Sequence, residues 1–216
     1  MNHQSKLLIA TNNKGKLREI QAILQDLDLE LVSPADIDLD LEVEEDGQTY
    51  AENATKKALV FSRASGLTAL ADDSGLEVDA LDGEPGLHSK RYGPPLTLPP
   101  FSPKMGGDRG GLTDADRRAY LLQNLNGKTR PWTAKFRATV AIASPGRGVK
   151  LAEGTCPGQI IPEERGTGGF GYDPIFLLES LGKTMAELEI DEKNRLSHRG
   201  RALRNAIPIL KELLEI

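Results

Sequence analysis

Cysteine is almost missing from this chain. Cys156 is the single one in 216 residues, which excludes an intrachain disulfide and any metal site built from several cysteines, and suits a reducing compartment. An excess of basic charge is missing too. The formal net charge is -5, which argues against a general binder of nucleic-acid polymers or anionic membranes, because both need a basic face. A nucleotide substrate stays possible, since a few local lysines and arginines suffice to hold phosphates. Long apolar runs are absent as well. The N-terminal stretch Leu7 to Ala10 is far too short for a signal peptide or a membrane span, and the expected location is cytoplasmic. No internal repeat is visible. What is present is ordinary for a globular protein: 38% hydrophobic and 27% charged residues, with length for one large domain or two tightly joined lobes.

One stretch stands out. Ala69-Leu70-Ala71 runs straight into Asp72-Asp73-Ser74-Gly75, and this reads as the end of a buried strand followed by a Ser-Gly turn. Two adjacent carboxylates repel each other, and a divalent cation relieves that repulsion using oxygen ligands of this kind. Taken alone, the motif is equally a solvated acidic corner.

The rest of the chain supplies context. Lys6 to Ala10 predicts a short buried strand, then the polar loop Thr11-Asn12-Asn13-Lys14-Gly15-Lys16, then a helix with apolar positions Leu17, Ile20, Ile23, Leu24 and Leu27. A strand, a polar loop and a helix start present backbone N–H groups to an anion, and the two lysines add charge there. Leu29 to Val32 predicts a second strand. From Asp36 to Asp46 acids alternate with Ile37, Leu39, Leu41 and Val43, a period of two that places most acids on one face of an extended segment. The end of that run, Glu44-Glu45-Asp46-Gly47, is the part able to reach a metal.

Thr49 to Glu52 has capping-box spacing and opens a helix to about Ser65, with Ala51, Ala54, Ala58, Phe61 and Ala64 as its narrow apolar face. Asn53-Ala54-Thr55 matches a glycosylation sequon that means nothing without a secretion signal. Leu67 to Ala71 and Leu76 to Leu81 read as extended on either side of the acidic turn. Residues 93–111 are rich in proline and glycine without periodicity and read as a mobile loop inside one domain. Thr113 to Leu125 predicts a capped helix. Strands follow at Phe136 to Ser144, Val149 to Ala152 and Gly158 to Ile161. Hairpin-like connections here, against earlier strand–helix alternation, imply an α/β fold with a mixed sheet. A last helix starts near Ser197, with a kink expected at Pro208.

Two motifs resemble nucleotide-fold fingerprints and fail. Gly166-Thr167-Gly168-Gly169-Phe170-Gly171 fits G-x-G-x-x-G, but Tyr172-Asp173-Pro174 and a strand-like run follow where a helix is required. Gly182-Lys183-Thr184 resembles a P-loop tail, but Leu177 stands where its first glycine belongs. What remains is a flexible glycine loop with two aromatics, Phe170 and Tyr172, beside Asp173. They are either a stacking surface for a flat base or core residues at a tight turn. In Ser197-His198-Arg199 the Ser-His pair suggests a hydrolase nucleophile, yet adjacent helical residues point about 100° apart. Binding roles for His198 and Arg199 are the better reading.

Together these segments resemble the inosine triphosphate pyrophosphatase family. The resemblance runs nearly end to end through Ala10 to Lys16, Glu52-Asn53-Ala54, Ala71 to Leu76, Pro85-Gly86, Ser89 with Arg91-Tyr92, Gly168 to Pro174, Glu192-Lys193-Asn194 and Ser197-His198-Arg199. The departure is 94–111, longer and richer in proline than the family's short connection. The resemblance implies an elongated, twisted mixed sheet flanked by helices, in two lobes with the active site in the cleft between them, and a homodimer. It implies Mg²⁺-dependent hydrolysis of ITP, dITP or XTP to the monophosphate and pyrophosphate. By position Asp73 is then the base that activates water and a metal ligand. Glu45 is the partner ligand, with Glu44 the alternative if the alignment slips by one. Thr11, Asn12, Asn13, Lys14, Gly15 and Lys16 hold phosphates, and Ser74 contacts the nucleotide. Phe170, Gly171, Tyr172, Asp173, Lys193, His198 and Arg199 line the base and sugar pocket. Arg199 carries five donors and no acceptor, which suits the O6 of hypoxanthine or xanthine and disfavours the amino group of adenine. The competing expectations are a related pyrophosphatase for other modified or pyrimidine nucleotides, and a non-catalytic nucleotide-binding protein.

Overall fold

A computed structural model describes residues 4–94 and 112–216. Most of the proline- and glycine-rich loop expected at 93–111 therefore lies outside the described residues. The strands are β1 (Ser5–Ile9), β2 (Leu29–Val32), β3 (Thr68–Val78), β4 (Trp132–Ser144), β5 (Gly148–Ile160), β6 (Phe176–Leu178) and β7 (Lys183–Thr184). The helices are α1 (Lys14–Leu24), α2 (Tyr50–Ser65), α3 (Asp114–Leu125), α4 (Ile190–Leu196) and α5 (His198–Leu214). The strands form one sheet in the order β2-β1-β3-β4-β5-β6-β7. β1 pairs in parallel with β2 and β3, whereas β6 pairs antiparallel with β5 and β7. The mixed sheet is the one the sequence implied.

The chain divides into two compact units. The first comprises Met1–Ser74, Arg137–Cys156 and Ile190–Ile216, and the second Gly75–Phe136 and Pro157–Glu189. In the first unit the two faces of the sheet are both apolar. Leu7, Ile9 and Leu70 pack with Ile20 and Leu24 of α1 and with Ala202, Leu203, Ala206 and Leu210 of α5. Leu8, Ala10, Ala69 and Ala71 pack with Ala54, Ala58 and Phe61 of α2. Strand alternation explains this division, because successive side chains leave the sheet on opposite sides. In the second unit Phe136 and Phe176 stack with ring centroids 4.4 Å apart.

Helix starts follow local chemistry. Asn13, Thr49, Thr113 and Ser197 each cap the helix that follows by accepting a backbone N–H, and each such cap contributes about 1 kcal/mol. At α2 the expected box is only half formed. Thr49 accepts from Glu52 N, but the Glu52 carboxylate takes the N–H of Gln48, one residue further back. Ala64 is exposed, while Asn53 and Ser62 are buried on the inner side of α2. α5 continues through Pro208 to Leu214.

Two expectations about strands need correcting. Asp72-Asp73-Ser74-Gly75 is no turn, because β3 runs unbroken from Thr68 to Val78. Ser-Gly has turn chemistry, but the β1 ladder fixes β3 through Leu70 and β4 flanks β3 on its other side, and this sheet context outweighs the local preference. Likewise β5 is one strand and not two. The acidic segment after Asp38 forms no strand, yet its exposure still alternates: Ile37, Leu39, Leu41, Val43 and Glu45 are half-buried, and Asp38, Asp40, Glu42, Glu44 and Asp46 are exposed.

Candidate active site

Because β3 is a strand through its acidic pair, Asp72 and Asp73 face opposite ways. Asp72 continues the side of Leu70 toward α1 and α5. It is fully buried, and its Oδ2 accepts from Lys16 Nζ at 3.1 Å and from Arg199 Nε at 3.0 Å. Burial opposes its charge, but Lys16, Arg199 and Lys57 together hold this carboxyl far below the usual carboxylate range. Glu19 of α1 completes the cluster, accepting from Lys193 Nζ at 2.7 Å and from Arg199 Nη1 at 2.5 Å. It too is buried, and Arg199 and Lys193 hold its carboxyl low against the desolvation. Arg199 Nη2 donates to Ser74 Oγ at 3.0 Å.

Asp73 continues the side of Ala69 and Ala71 toward α2. Its Oδ2 accepts from Asn53 Nδ2 at 2.9 Å and its Oδ1 from Ser74 N at 3.0 Å. Asn53 is oriented in turn by Gly47, whose N–H donates to Asn53 Oδ1 at 2.8 Å. A Cβ on Gly47 would stand 2.7 Å from that oxygen, so glycine is what lets the acidic segment come this close. One turn along α2, Lys57 Nζ donates to Glu45 Oε1 at 2.7 Å and to the Asp72 carbonyl at 2.6 Å. Burial pushes the Asp73 carboxyl above its ordinary value, the nearby Lys57 and Lys16 only partly offset this, and Glu45 adds to the rise. A buried carboxylate with a raised proton affinity, fixed by two hydrogen bonds, has the properties of a general base.

The pair Asp73 and Glu45 also fits a magnesium ion. Both offer hard oxygen donors, and a cation would relieve the Glu45 repulsion that adds to the effect of burial on Asp73. Among the described residues no group of three or more His, Cys, Asp or Glu gathers as a metal cage. Mg²⁺ needs only one or two carboxylates when substrate phosphates complete its shell. Glu45 is half-buried and on the inward parity of its segment, whereas Glu44 is exposed. The geometry therefore favours Glu45. Asp72 is no candidate ligand, being turned to the other face.

The loop before α1 differs from expectation in one respect. Asn13 Oδ1 accepts from Gly15 N at 2.9 Å and from Lys16 N at 3.0 Å, so these two amides serve the cap and not an anion. Thr11 Oγ1 accepts from Asn13 N, and Asn12 and Lys14 are exposed. What the helix start offers a phosphate is the charge of its lysines.

The residues around the start of α5 are placed as follows. Arg199 is 2% exposed and directs donors at Asp72, Glu19 and Ser74, so it bridges these three residues inside the protein. His198 is buried, and desolvation with the adjacent Arg199 and Lys193 drives its imidazole well below its ordinary value, which leaves it neutral. Ser197 Oγ accepts from Gly200 N as the α5 cap, which disposes of a Ser-His nucleophile.

In the second unit the glycine loop is held at several points. Gly168 N donates to Ala186 O at 2.9 Å, Gly171 N to Asp114 Oδ2 at 2.8 Å, and Arg118 Nη1 to Gly171 O at 2.8 Å. Gly166 has φ +79° and room for no Cβ, which would lie 2.4 Å from Ala186 backbone atoms. These glycines serve close packing, against the flexible loop expected. Tyr172 is 4% exposed and donates to the Ser89 carbonyl at 3.0 Å, so it is a core residue. Asp173 is buried and accepts from Phe170 N at 2.8 Å. Phe170 is half-buried, and it alone of the two aromatics keeps a surface for stacking.

The sequence reading missed Glu19, Lys57 and the role of Asn53. Asn53 and Lys57 lie four apart on α2, hence on one helix face, and that spacing was a usable signal. Glu19 gave none, since its partners lie at the other end of the chain.

Comparison with known proteins identifies the family. The sequence pattern of the Ham1 family matches residues 7–209. A Desulforamulus reducens protein named dITP/XTP pyrophosphatase is 45% identical over 209 residues, covering 96% of each chain. A Geobacter sulfurreducens protein of the same name is 48% identical over 202 residues, covering 92% of this chain and 93% of the other. The solved structure of a HAM1 protein from Coxiella burnetii shares the fold at a TM-score of 0.80 and 36% identity, covering 96% of this chain and 99% of that one. With the pattern matched over nearly its whole length, the chain belongs to the Ham1 family.

Proposed function

We propose that this protein hydrolyses non-canonical purine nucleoside triphosphates, ITP, dITP or XTP, to the nucleoside monophosphate and pyrophosphate. The observation that carries the reading is Asp73: a buried carboxylate of raised proton affinity, fixed by Asn53 and the Ser74 amide, with Lys16 and Lys57 beside it. Relatives named dITP/XTP pyrophosphatase at 45% and 48% identity support the substrate class.

In this reading Asp73 takes a proton from water as the water oxygen bonds to phosphorus. The α–β phosphoanhydride bond breaks, and its bridging oxygen leaves with the pyrophosphate. Lys16 and Lys57 hold phosphate oxygens and offset charge that grows on the leaving group. Asp73 and Glu45 would hold Mg²⁺, which supplies electrostatic stabilisation of the phosphates when bound. Asp72 stays ionised and takes no proton, and it keeps Lys16 and Arg199 in place.

A panel of triphosphates with pyrophosphate detection, with and without Mg²⁺, tests the proposal. Turnover of ITP, dITP and XTP well above that of ATP, UTP and dTTP is the expected result. Faster turnover of dTTP or UTP than of ITP would move the protein to another nucleotide class. Binding without turnover of any of them would make it a nucleotide-binding protein.

A further inference from the structure

Among the described residues, the ion-paired groups around Asp72 and Asp73 balance in charge. Lys16, Lys57, Lys193 and Arg199 face Glu19, Glu45, Asp72 and Asp73, four cations against four carboxylates. Lys57 is the cation on the side of the proposed metal ligands. Its ammonium sits 2.7 Å from Glu45 Oε1 and 2.6 Å from the Asp72 carbonyl, its side chain is 12% exposed, and its charge lies close enough to Asp73 to offset part of that carboxyl's burial. These are oxygen atoms of the type that a hard divalent cation uses.

We propose that Lys57 is the resident counter-cation of this site, occupying the Glu45 carboxylate until a nucleotide's phosphates draw its ammonium away, so that the divalent cation enters with the nucleotide and not before it. This rests on the metal reading above and adds an order of events to it. A bare divalent cation would have to displace an ion pair already satisfied at 2.7 Å and would leave a balanced site positively charged. A cation arriving with a triphosphate brings the anions that rebalance it and gives Lys57 a new partner. Two lysine donors now bonded to protein oxygens can be transferred to phosphate oxygens at no loss of hydrogen bonds.

Equilibrium dialysis with Mn²⁺ alone, as a stand-in for Mg²⁺, tests the idea without reference to activity. The wild-type protein should retain Mn²⁺ weakly in the absence of nucleotide. Lys57→Met should retain it at least about tenfold more tightly, and Lys57→Gln serves if the methionine variant folds poorly. Adding Glu45→Gln to either variant should cancel the gain. Equal Mn²⁺ retention by the wild type and both variants would overturn the proposal, as would a gain that survives Glu45→Gln. A parallel calorimetric titration with an α,β-methylene analogue of dITP separates the two readings. Analogue binding that Mg²⁺ does not strengthen removes the metal reading itself. Analogue binding that Mg²⁺ strengthens, alongside tight Mn²⁺ retention by the wild type alone, removes only the role of Lys57.

Discussion

The two faces of β3 in the first unit hold similar chemistry for opposite ends. Toward α1 and α5, Asp72 meets Lys16 and Arg199, and Glu19 ties Arg199 to Lys193. Every one of these charges has an opposite partner, and both carboxyls are held below their ordinary values. Toward α2, Asp73 has two neutral donors, a lysine that is bonded elsewhere, and a neighbouring carboxylate. Its carboxyl is pushed the other way. Adjacent residues of the same type thus become an ion-paired anion and a carboxyl of raised proton affinity, because a strand sends them to different surroundings. One face is satisfied and the other is strained electrostatically.

The largest expected effect that sharpens this contrast is Asp73→Asn. Losing a general base lowers turnover by about 10²–10⁴-fold, measured as pyrophosphate release, while urea denaturation should show stability unchanged or raised, since a desolvated charge is gone. A loss of stability equal to that of the next variant would break the comparison. Arg199→Met should destabilise by about 3–5 kcal/mol, because Asp72 and Glu19 are left buried without it, and urea unfolding reads this directly. Removing the amide with Asn53→Ala should cost about 1–2 kcal/mol. It should also raise the Asp73 proton affinity, because the Asn53 donor favours the ionised form, moving the acid limb of kcat/KM to higher pH.

Acid should separate the faces further. Asp72 and Glu19 are depressed in the folded state, so their contribution to stability is complete above their ordinary values of 3.8 and 4.5 and declines as pH falls below them. Asp73 has the opposite sign: protonation is easier in the folded state, so falling pH first removes activity, above 3.8, while that group stops opposing the fold. The urea midpoint should therefore hold to lower pH than kcat/KM does. The smallest effect is reserved for the exposed Glu44. Glu44→Gln should leave the Mg²⁺ dependence of turnover unchanged, where Glu45→Gln weakens it, and equal effects would mean that segment parity does not choose the ligand.

Much of this was legible before the fold. β1, β2, α1, α2 and α3 and their caps follow from short-range periodicity and polar residues at helix starts, which act within a few positions. Even the half-burial of Glu45 against the exposure of Glu44 was written in the alternation of residues 37–46, since Glu45 continues the apolar parity and Glu44 does not. Phe170 and Tyr172 were not separable on the same grounds, because their burial depends on what the loop packs against.

From its sequence alone this protein was determined to be an α/β nucleotide enzyme of a particular family, with the pair Asp72-Asp73 as the stretch that stands out, because motifs and periodicities are local properties of the chain. Tertiary structure decided how Asp72 and Asp73 divide their work. The place of β3 in the sheet, paired with β1 through Leu70 and flanked by β4, kept the acidic pair extended where Ser-Gly favoured a turn. Arg199 finds Asp72 and Glu19 across 127 and 180 residues of chain, a distance over which no spacing rule operates. Ion-pair partners are selected by proximity in the folded state, and only the fold supplies it.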